Sequence, residues 1–326
     1  MSRRARDLGL RFGPLPTGAH NGLTDVTGVR VGHSTVVQEG LRSGVTAIVP
    51  AGVGPKNPLR AGFFAGNGYG KVVGTTQVQE LGQIETPVLL TGTLSTFRAA
   101  DALVEWVLTQ PGNEDVRSVN PVVAETNDSR WRKDRHRAGI EARHVLEALA
   151  GADSGAVGYG SVGAGTGTVA FGLKGGLGSA SRLVSIDGTL RTVGVLVQTN
   201  HDGRLAWPGL DVPASSSVPS SDGSVVVVVV TDAPLDARQL TRLARRGVYA
   251  LARTGAAFSG GSGDYCLSVS TVPVASADRV ADDHALDPLW SAVQDCVDEA
   301  VLDSLAAADP VLRWDGVLVP VLVQGR

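Results

Sequence analysis

Apolar residues recur at helical spacing in four segments of the chain. Within 97–110, Ala100, Leu103, Val104 and Val107 fall on one side, and within 136–150 Ala142, Val145, Leu146 and Leu149 do the same. Segment 235–254 places Leu240, Leu243, Val248 and Leu251 together, with Asp232 ahead of Pro234 as a cap candidate. Segment 289–308 carries Val293, Val297, Val301, Leu302 and Leu305. The i, i+3/i+4 spacing predicts four amphipathic helices. Between them lie short β-branched runs bounded by Gly, Pro, Asn and Asp, at 29–31, 45–49, 88–90, 193–197, 225–230, 267–272 and 317–323. Six consecutive valines at 225–230 show no polar alternation, which predicts a strand buried on both faces. Helices interspersed with many short strands make a layered α/β sandwich, and 326 residues allow two domains or one large one.

Composition narrows the class. Gly is 42 of 326 residues, charged residues are 19%, aromatics 5% and the net charge is −3. Such a chain is too apolar and too weakly charged for disorder. Glycine without a G-X-Y period excludes collagen, and the charge argues against a nucleic-acid partner. Cys266 and Cys296 are too few for a disulfide scaffold or a four-cysteine zinc site and read as buried thiols. Arginines at 3, 4, 6 and 11 stand where a secretory signal would need an apolar core. The longest apolar runs fall far below the ~18 residues of a membrane span. A cytoplasmic protein without a membrane partner is expected.

The familiar chemical motifs are weak or missing. Gly158, Gly160 and Gly163 match G-x-G-x-x-G, but the glycines that follow forbid the helix a dinucleotide site requires. Close backbone packing is the expected role. There is no G-x-S-x-G elbow, Walker A motif or S-x-x-K. The six histidines (20, 33, 136, 144, 201 and 284) are scattered, so no metal and no cofactor is expected. The basic run Arg130, Arg132, Lys133, Arg135 and Arg137 reads as a solvated face.

The composition changes most abruptly at 213–224. A Ser- and Pro-rich stretch, 213–221, leads through Asp222 and Gly223 to Ser224 and the valine strand. A serine hydroxyl needs a base before it attacks, and an α-amine with a pKa of about 7.7–8 is one such base. Cleavage between Gly223 and Ser224 would create that amine. An N→O acyl shift, driven where a flexible approach meets a rigid strand, would make the cut. Gly-Ser is also a common turn pair. By the same standard Asn200 with His201 reads as a turn after a strand, Ser262 and Asp264 as hairpin residues, and Glu125 as a surface acid.

Longer motifs discriminate further. Asn21-Gly-Leu-Thr-Asp-Val-Thr-Gly-Val-Arg-Val-Gly-His33 resembles the opening of the DmpA-type aminopeptidases, the L-aminopeptidase/D-esterase and β-aminopeptidase family. So do Gly66-Asn-Gly-Tyr-Gly-Lys71, Gly112-Asn-Glu-Asp-Val-Arg-Ser-Val-Asn-Pro121 and Gly163-Ala-Gly-Thr-Gly-Thr-Val-Ala-Phe-Gly172. Asp222-Gly-Ser followed by the six valines and Thr-Asp-Ala-Pro234 resembles that family's self-cleavage site. The resemblance implies a four-layer αββα sandwich, shared with ornithine acetyltransferase, and a self-processing N-terminal-nucleophile hydrolase. It implies a single hydrolase domain over 1–326, cut into an α-chain 1–223 and a β-chain 224–326 that stay associated, in a homo-oligomer expected to be a tetramer. Ser224 matches the nucleophile and Asn200 the oxyanion-hole amide. Ser262 and Asp264 match the pair that positions the nucleophile's hydroxyl and amine, the acid being glutamate in some relatives. Glu125 matches a carboxylate that receives the substrate's amino group. The expected activity is release of N-terminal residues from small peptides, amides or esters. An acyltransferase or a nylon-oligomer-type amide hydrolase is the alternative on the same fold.

Overall fold

The computed structural model describes residues 3–129, 139–210, 223–276, 280–313 and 316–322. The Ser/Pro stretch 213–221, Asp222, the basic run 130–137 and His136 lie outside the described residues. In chain order the elements are β1 (Val29–Gln38), β2 (Leu41–Pro50), β3 (Leu59–Gly68), β4 (Val72–Val73), α1 (Thr75–Leu81), β5 (Gln83–Ile84), β6 (Val88–Gly92), α2 (Thr96–Leu108), β7 (Val122–Thr126) and α3 (Ala142–Ala150). They continue as β8 (Val169–Ala170), β9 (Leu173–Lys174), β10 (Leu177–Ile186), β11 (Thr189–Asn200), β12 (Ser224–Thr231), α4 (Ala237–Arg253), β13 (Gly263–Pro273), α5 (Asp287–Ala306), β14 (Val311–Leu312) and β15 (Leu318–Val319).

Two sheets carry the fold, one in the order β1-β2-β6-β7-β4 and one in the order β10-β11-β12-β13-β3-β5. Each holds one parallel pair joined through a helix, β6-α2-β7 in the first and β12-α4-β13 in the second. Between the sheets pack Val29, Ile48, Leu90 and Val122 from one side and Leu196, Leu177 and Leu267 from the other. Helices α2 and α3 cover the outer face of the first sheet, through Leu103, Val107, Val145 and Leu149. Helices α4 and α5 cover the second, through Leu240, Leu243, Val293 and Val297. The layers therefore run αββα. The six valines divide by parity: 225, 227 and 229 face the helices, and 226, 228 and 230 face the other sheet. A strand with apolar neighbours on both sides has no use for polar alternation.

The four helices form with shifted ends. Helix α4 is capped by Asp236, whose carboxylate accepts from Gln239 N at 2.6 Å while Gln239 Oε1 accepts from Asp236 N at 3.0 Å. Asp232 is not the cap; its carboxylate accepts from Thr192 N on β11 at 2.8 Å. Helix α3 starts at Ala142 and buries His144, Val145, Ala148 and Leu149, leaving Leu146 exposed. His144 Nδ1 accepts from Glu141 N at 3.0 Å and so satisfies a free donor at the helix start. Of segment 317–323, only Leu318–Val319 is a strand, paired with β14, and residue 323 lies outside the described residues.

Gly163 opens a single 3-10 turn rather than a helix, and a Cβ there would run into Thr46 Oγ1 and His33. The glycine-rich loop is thus used for close packing against β1 and β2. Among the described residues no helix is long and apolar enough to cross a membrane. Cys266 and Cys296 are buried free thiols.

Candidate active site

The register of the second sheet assembles most of the site. Ser224, the first residue of β12, pairs with Asn200 at the end of β11 and with Gly263 at the start of β13. Ser262 and Asp264 flank that glycine, and Gly263 N donates to the Gly223 carbonyl at 3.3 Å. Three strand ends thus bring together Ser224, Asn200 and the segment Ser262 to Asp264, which lie far apart in sequence. Glu125 arrives from β7 of the other sheet. Gln198 helps hold the sheets together here: its Nε2 donates to Thr126 Oγ1 at 2.7 Å and to Ala164 O at 2.9 Å.

Each side chain is oriented by a specific contact. Ser224 Oγ accepts from Asn127 N, in the turn after β7, at 3.0 Å. Asn200 Oδ1 accepts from Val169 N at 2.9 Å, which fixes which end of the amide is which. Its Nδ2 is buried and has no hydrogen-bond partner among the described residues. Ser262 Oγ donates to Asp264 Oδ1 at 2.7 Å, while Asp264 Oδ2 is buried and has no hydrogen-bond partner among the described residues. Burial pushes the Asp264 carboxyl up to about 6; the Ser262 hydrogen bond opposes this and the negative charge of Asp202 adds to it. His201, next in sequence to Asn200, is fully enclosed, with its ring edge-on to Phe171 at 4.6 Å. Burial lowers it to about 3, so its imidazole stays neutral and is a poor proton acceptor.

Glu125 is a buried acid, 2% exposed, rather than a surface one. Its Oε1 accepts from Lys71 N at 3.0 Å and lies 3.4 Å from Lys71 Nζ. Burial raises its carboxyl above the ordinary range, and Lys71 pulls it back. Lys71 Nζ also donates to Thr93 Oγ1 at 2.7 Å. Ser224, Gly223, Glu125, Asn127, Lys71 and Thr93 all line one small cleft of about 70 Å³, as does the exposed Tyr69. Ser224 therefore faces a space that also holds a carboxylate. Among the described residues no three His, Cys, Asp or Glu side chains are grouped to hold a metal.

This arrangement suits acyl transfer to a serine: a hydroxyl at a cleft, an unsatisfied amide donor beside it and an acid to anchor substrate. The model of peptidase family S58 matches residues 21–319. The chain belongs to peptidase family S58. It is a serine-type aminopeptidase of the N-terminal-nucleophile hydrolase kind. It is 36% identical to the beta-peptidyl aminopeptidase BapA of Sphingosinicella microcystinivorans, over 97% of this chain and 88% of that one. The solved L-aminopeptidase D-Ala-esterase/amidase from Ochrobactrum anthropi superposes with a TM-score of 0.89 at 34% identity, over 98% of this chain and 96% of that one. A Burkholderia sp. beta-aminopeptidase does so with a TM-score of 0.89 at 36% identity and the same coverage. The Ochrobactrum anthropi structure is described as a new variant among the Ntn hydrolase fold.

Sequence reasoning missed Asn127, Lys71 and Thr93. Lys71 sits at the end of the 66–71 motif, and Asn127 lies two residues beyond the candidate Glu125. Asn127 contributes a backbone N–H to Ser224, which no residue-type argument detects.

Proposed function

We propose that the chain cuts itself between Gly223 and Ser224, and that the liberated Ser224 is nucleophile and, through its own amine, base. In the cut, Ser224 Oγ attacks the Gly223 carbonyl carbon, whose oxygen Gly263 N already contacts. The ester formed by the N→O shift is then hydrolysed, leaving pieces 1–223 and 224–326. In turnover, Glu125 holds the substrate's ammonium. Ser224 Oγ loses its proton to the amine and bonds to the substrate carbonyl, and Asn200 Nδ2 donates to the developing oxyanion. The proton passes to the leaving amine or alcohol, and water releases the acyl group. Ser262 and Asp264 position the hydroxyl and the new amine.

One observation carries this reading: Asn200 stands opposite the first residue of β12, and its Nδ2, held by the amide's own Oδ1 bond, is buried without an acceptor among the described residues. A donor left unsatisfied in the resting site is what transition-state stabilisation needs, since its hydrogen bond then forms only as charge develops. Small amides of amino acids are the proposed substrates. β-Aminoacyl groups are favoured by the two β-aminopeptidases at 36% identity. The same proposal includes a homotetramer of paired chains in the cytoplasm. Turnover of β-alanyl p-nitroanilide by the wild type and Asn200→Ala tests it. Loss of one oxyanion donor lowers kcat by about 10²–10³; an unchanged kcat would remove Asn200 from the mechanism.

A further inference from the structure

The cleft holds a cation where the proposed function needs only an anion. Lys71 Nζ lies 3.4 Å from the Glu125 Oε1 that would bind the substrate's ammonium, so it competes for that oxygen and repels the incoming charge. Its own short bond, 2.7 Å, goes to Thr93 Oγ1. A lysine ammonium has three donors, and one at least remains for the cleft. Glu125 does not depend on Nζ for its placement, because Lys71 N holds Oε1 at 3.0 Å and Gly70 N is tied to the Tyr265 hydroxyl at 2.8 Å. The ammonium of Lys71 is therefore free to turn to another anion while Glu125 stays in position.

We propose that Lys71 and Glu125 together bind acyl groups carrying ammonium and carboxylate on one carbon, and that the chain turns over β-aspartyl amides in preference to β-alanyl amides. This rests on the reading of Glu125 as the ammonium anchor. A zwitterionic head converts the repulsion into attraction, placing its ammonium on Glu125 and its carboxylate on Lys71, with four charges of alternating sign. A β-aspartyl group is a β-aminoacyl group with a carboxylate on its amine-bearing carbon, so the reacting carbonyl keeps the same distance from the anchor. The bonds change as for any amide here: the Ser224 Oγ–carbon bond forms, the carbon–nitrogen bond breaks, and the Oγ proton leaves with the amine. Water then cleaves the ester and releases free aspartate.

The test compares kcat/KM for β-aspartyl, γ-glutamyl, β-alanyl and L-alanyl p-nitroanilides in the processed wild type, Lys71→Met and Lys71→Arg. The wild type should favour β-aspartyl over β-alanyl by about tenfold or more. Lys71→Met should invert that order, losing β-aspartyl mainly through KM and gaining on β-alanyl, and Lys71→Arg should restore part of the β-aspartyl rate. Intact mass of each variant shows whether it folded well enough to cut itself. Turnover of β-alanyl or L-alanyl amide without β-aspartyl overturns this inference alone. A γ-glutamyl preference overturns the β-aspartyl assignment, and an equal loss on all substrates in Lys71→Met overturns the role of Lys71. Failure on all four amides in the wild type overturns the proposed function and this inference with it.

Discussion

Two of the buried polar atoms at the site, Asn200 Nδ2 and Asp264 Oδ2, have no hydrogen-bond partner among the described residues. Groups in that state destabilise a fold by about 1–3 kcal/mol each. Asp264 makes the cost measurable, because its carboxyl stands at about 6 against an ordinary 3.8. A carboxyl raised in the folded state favours folding below its unfolded value, and that contribution is lost as pH rises from about 4 to about 6. Asp264→Asn does not titrate and keeps an acceptor for Ser262. We expect it to be more stable than the wild type at pH 8, by up to about 3 kcal/mol at 1.36 kcal/mol per pKa unit. The gain should vanish near pH 3.5, and the variant should lose activity. Denaturant unfolding at the two pH values checks this; equal stabilities at pH 8 would show that Asp264 is not held at a cost. At this scale the motifs made Ser224, Asn200, Ser262, Asp264 and Glu125 legible as candidates, while residue types alone read them as turns and a surface acid. The competing role of Lys71 arises only where β7 of one sheet meets the loop after β3 of the other.

Among the elements, β12 and the four long helices were legible because burial dictates their pattern: valine on both faces of β12, apolar stripes on α2 to α5. Strands β3 and β10 were not. Their sequences, Leu-Arg-Ala-Gly-Phe-Phe-Ala-Gly-Asn-Gly and Leu-Gly-Ser-Ala-Ser-Arg-Leu-Val-Ser-Ile, lack the long β-branched runs of the others. The cause is the helix layer: a Cβ at Gly62 would collide with Thr241 N on α4, and one at Gly178 with Ala300 O on α5. Close seating of the helices removed the strand signal from the residues beneath them. The start of α4 was misread because Asp232 and Asp236 both precede the helix and only the second is at hydrogen-bonding distance from its first turn. Asp236→Ala should destabilise the protein by about 0.5–2 kcal/mol, the usual range for a lost cap, and Asp232→Ala should leave helix α4 intact. Thermal melts followed by circular dichroism distinguish the two.

The whole molecule has to survive the proposed cut, and two features span it. Strand β12 lies between β11, from 1–223, and β13, from 224–326, and β13 in turn pairs with β3. On the outer face, fully buried Glu299 of α5 accepts from Arg182 on β10 at 2.7 Å, from Arg6 at 2.8 Å and from Asn21 at 2.7 Å, and Asp303 accepts from Arg4. The N-terminal arginines, which sequence reading used only to argue against a signal segment, thus anchor one proposed piece to the other. Nothing in their spacing announces partners nearly 300 residues away. Glu299→Leu leaves Arg182 buried and uncompensated, and should cost about 3–5 kcal/mol. Urea unfolding of the processed protein checks the loss, and separation of 1–223 from 224–326 on size exclusion should begin at lower urea than in the wild type. The central claim, that Ser224 becomes a free amino terminus, is tested most directly by the intact mass of the purified wild type beside Ser224→Ala. The account predicts two masses, for 1–223 and 224–326, in the wild type and one full-length mass in the variant. A single full-length mass in an active wild type would contradict it, because Ser224 would then have no amine of its own.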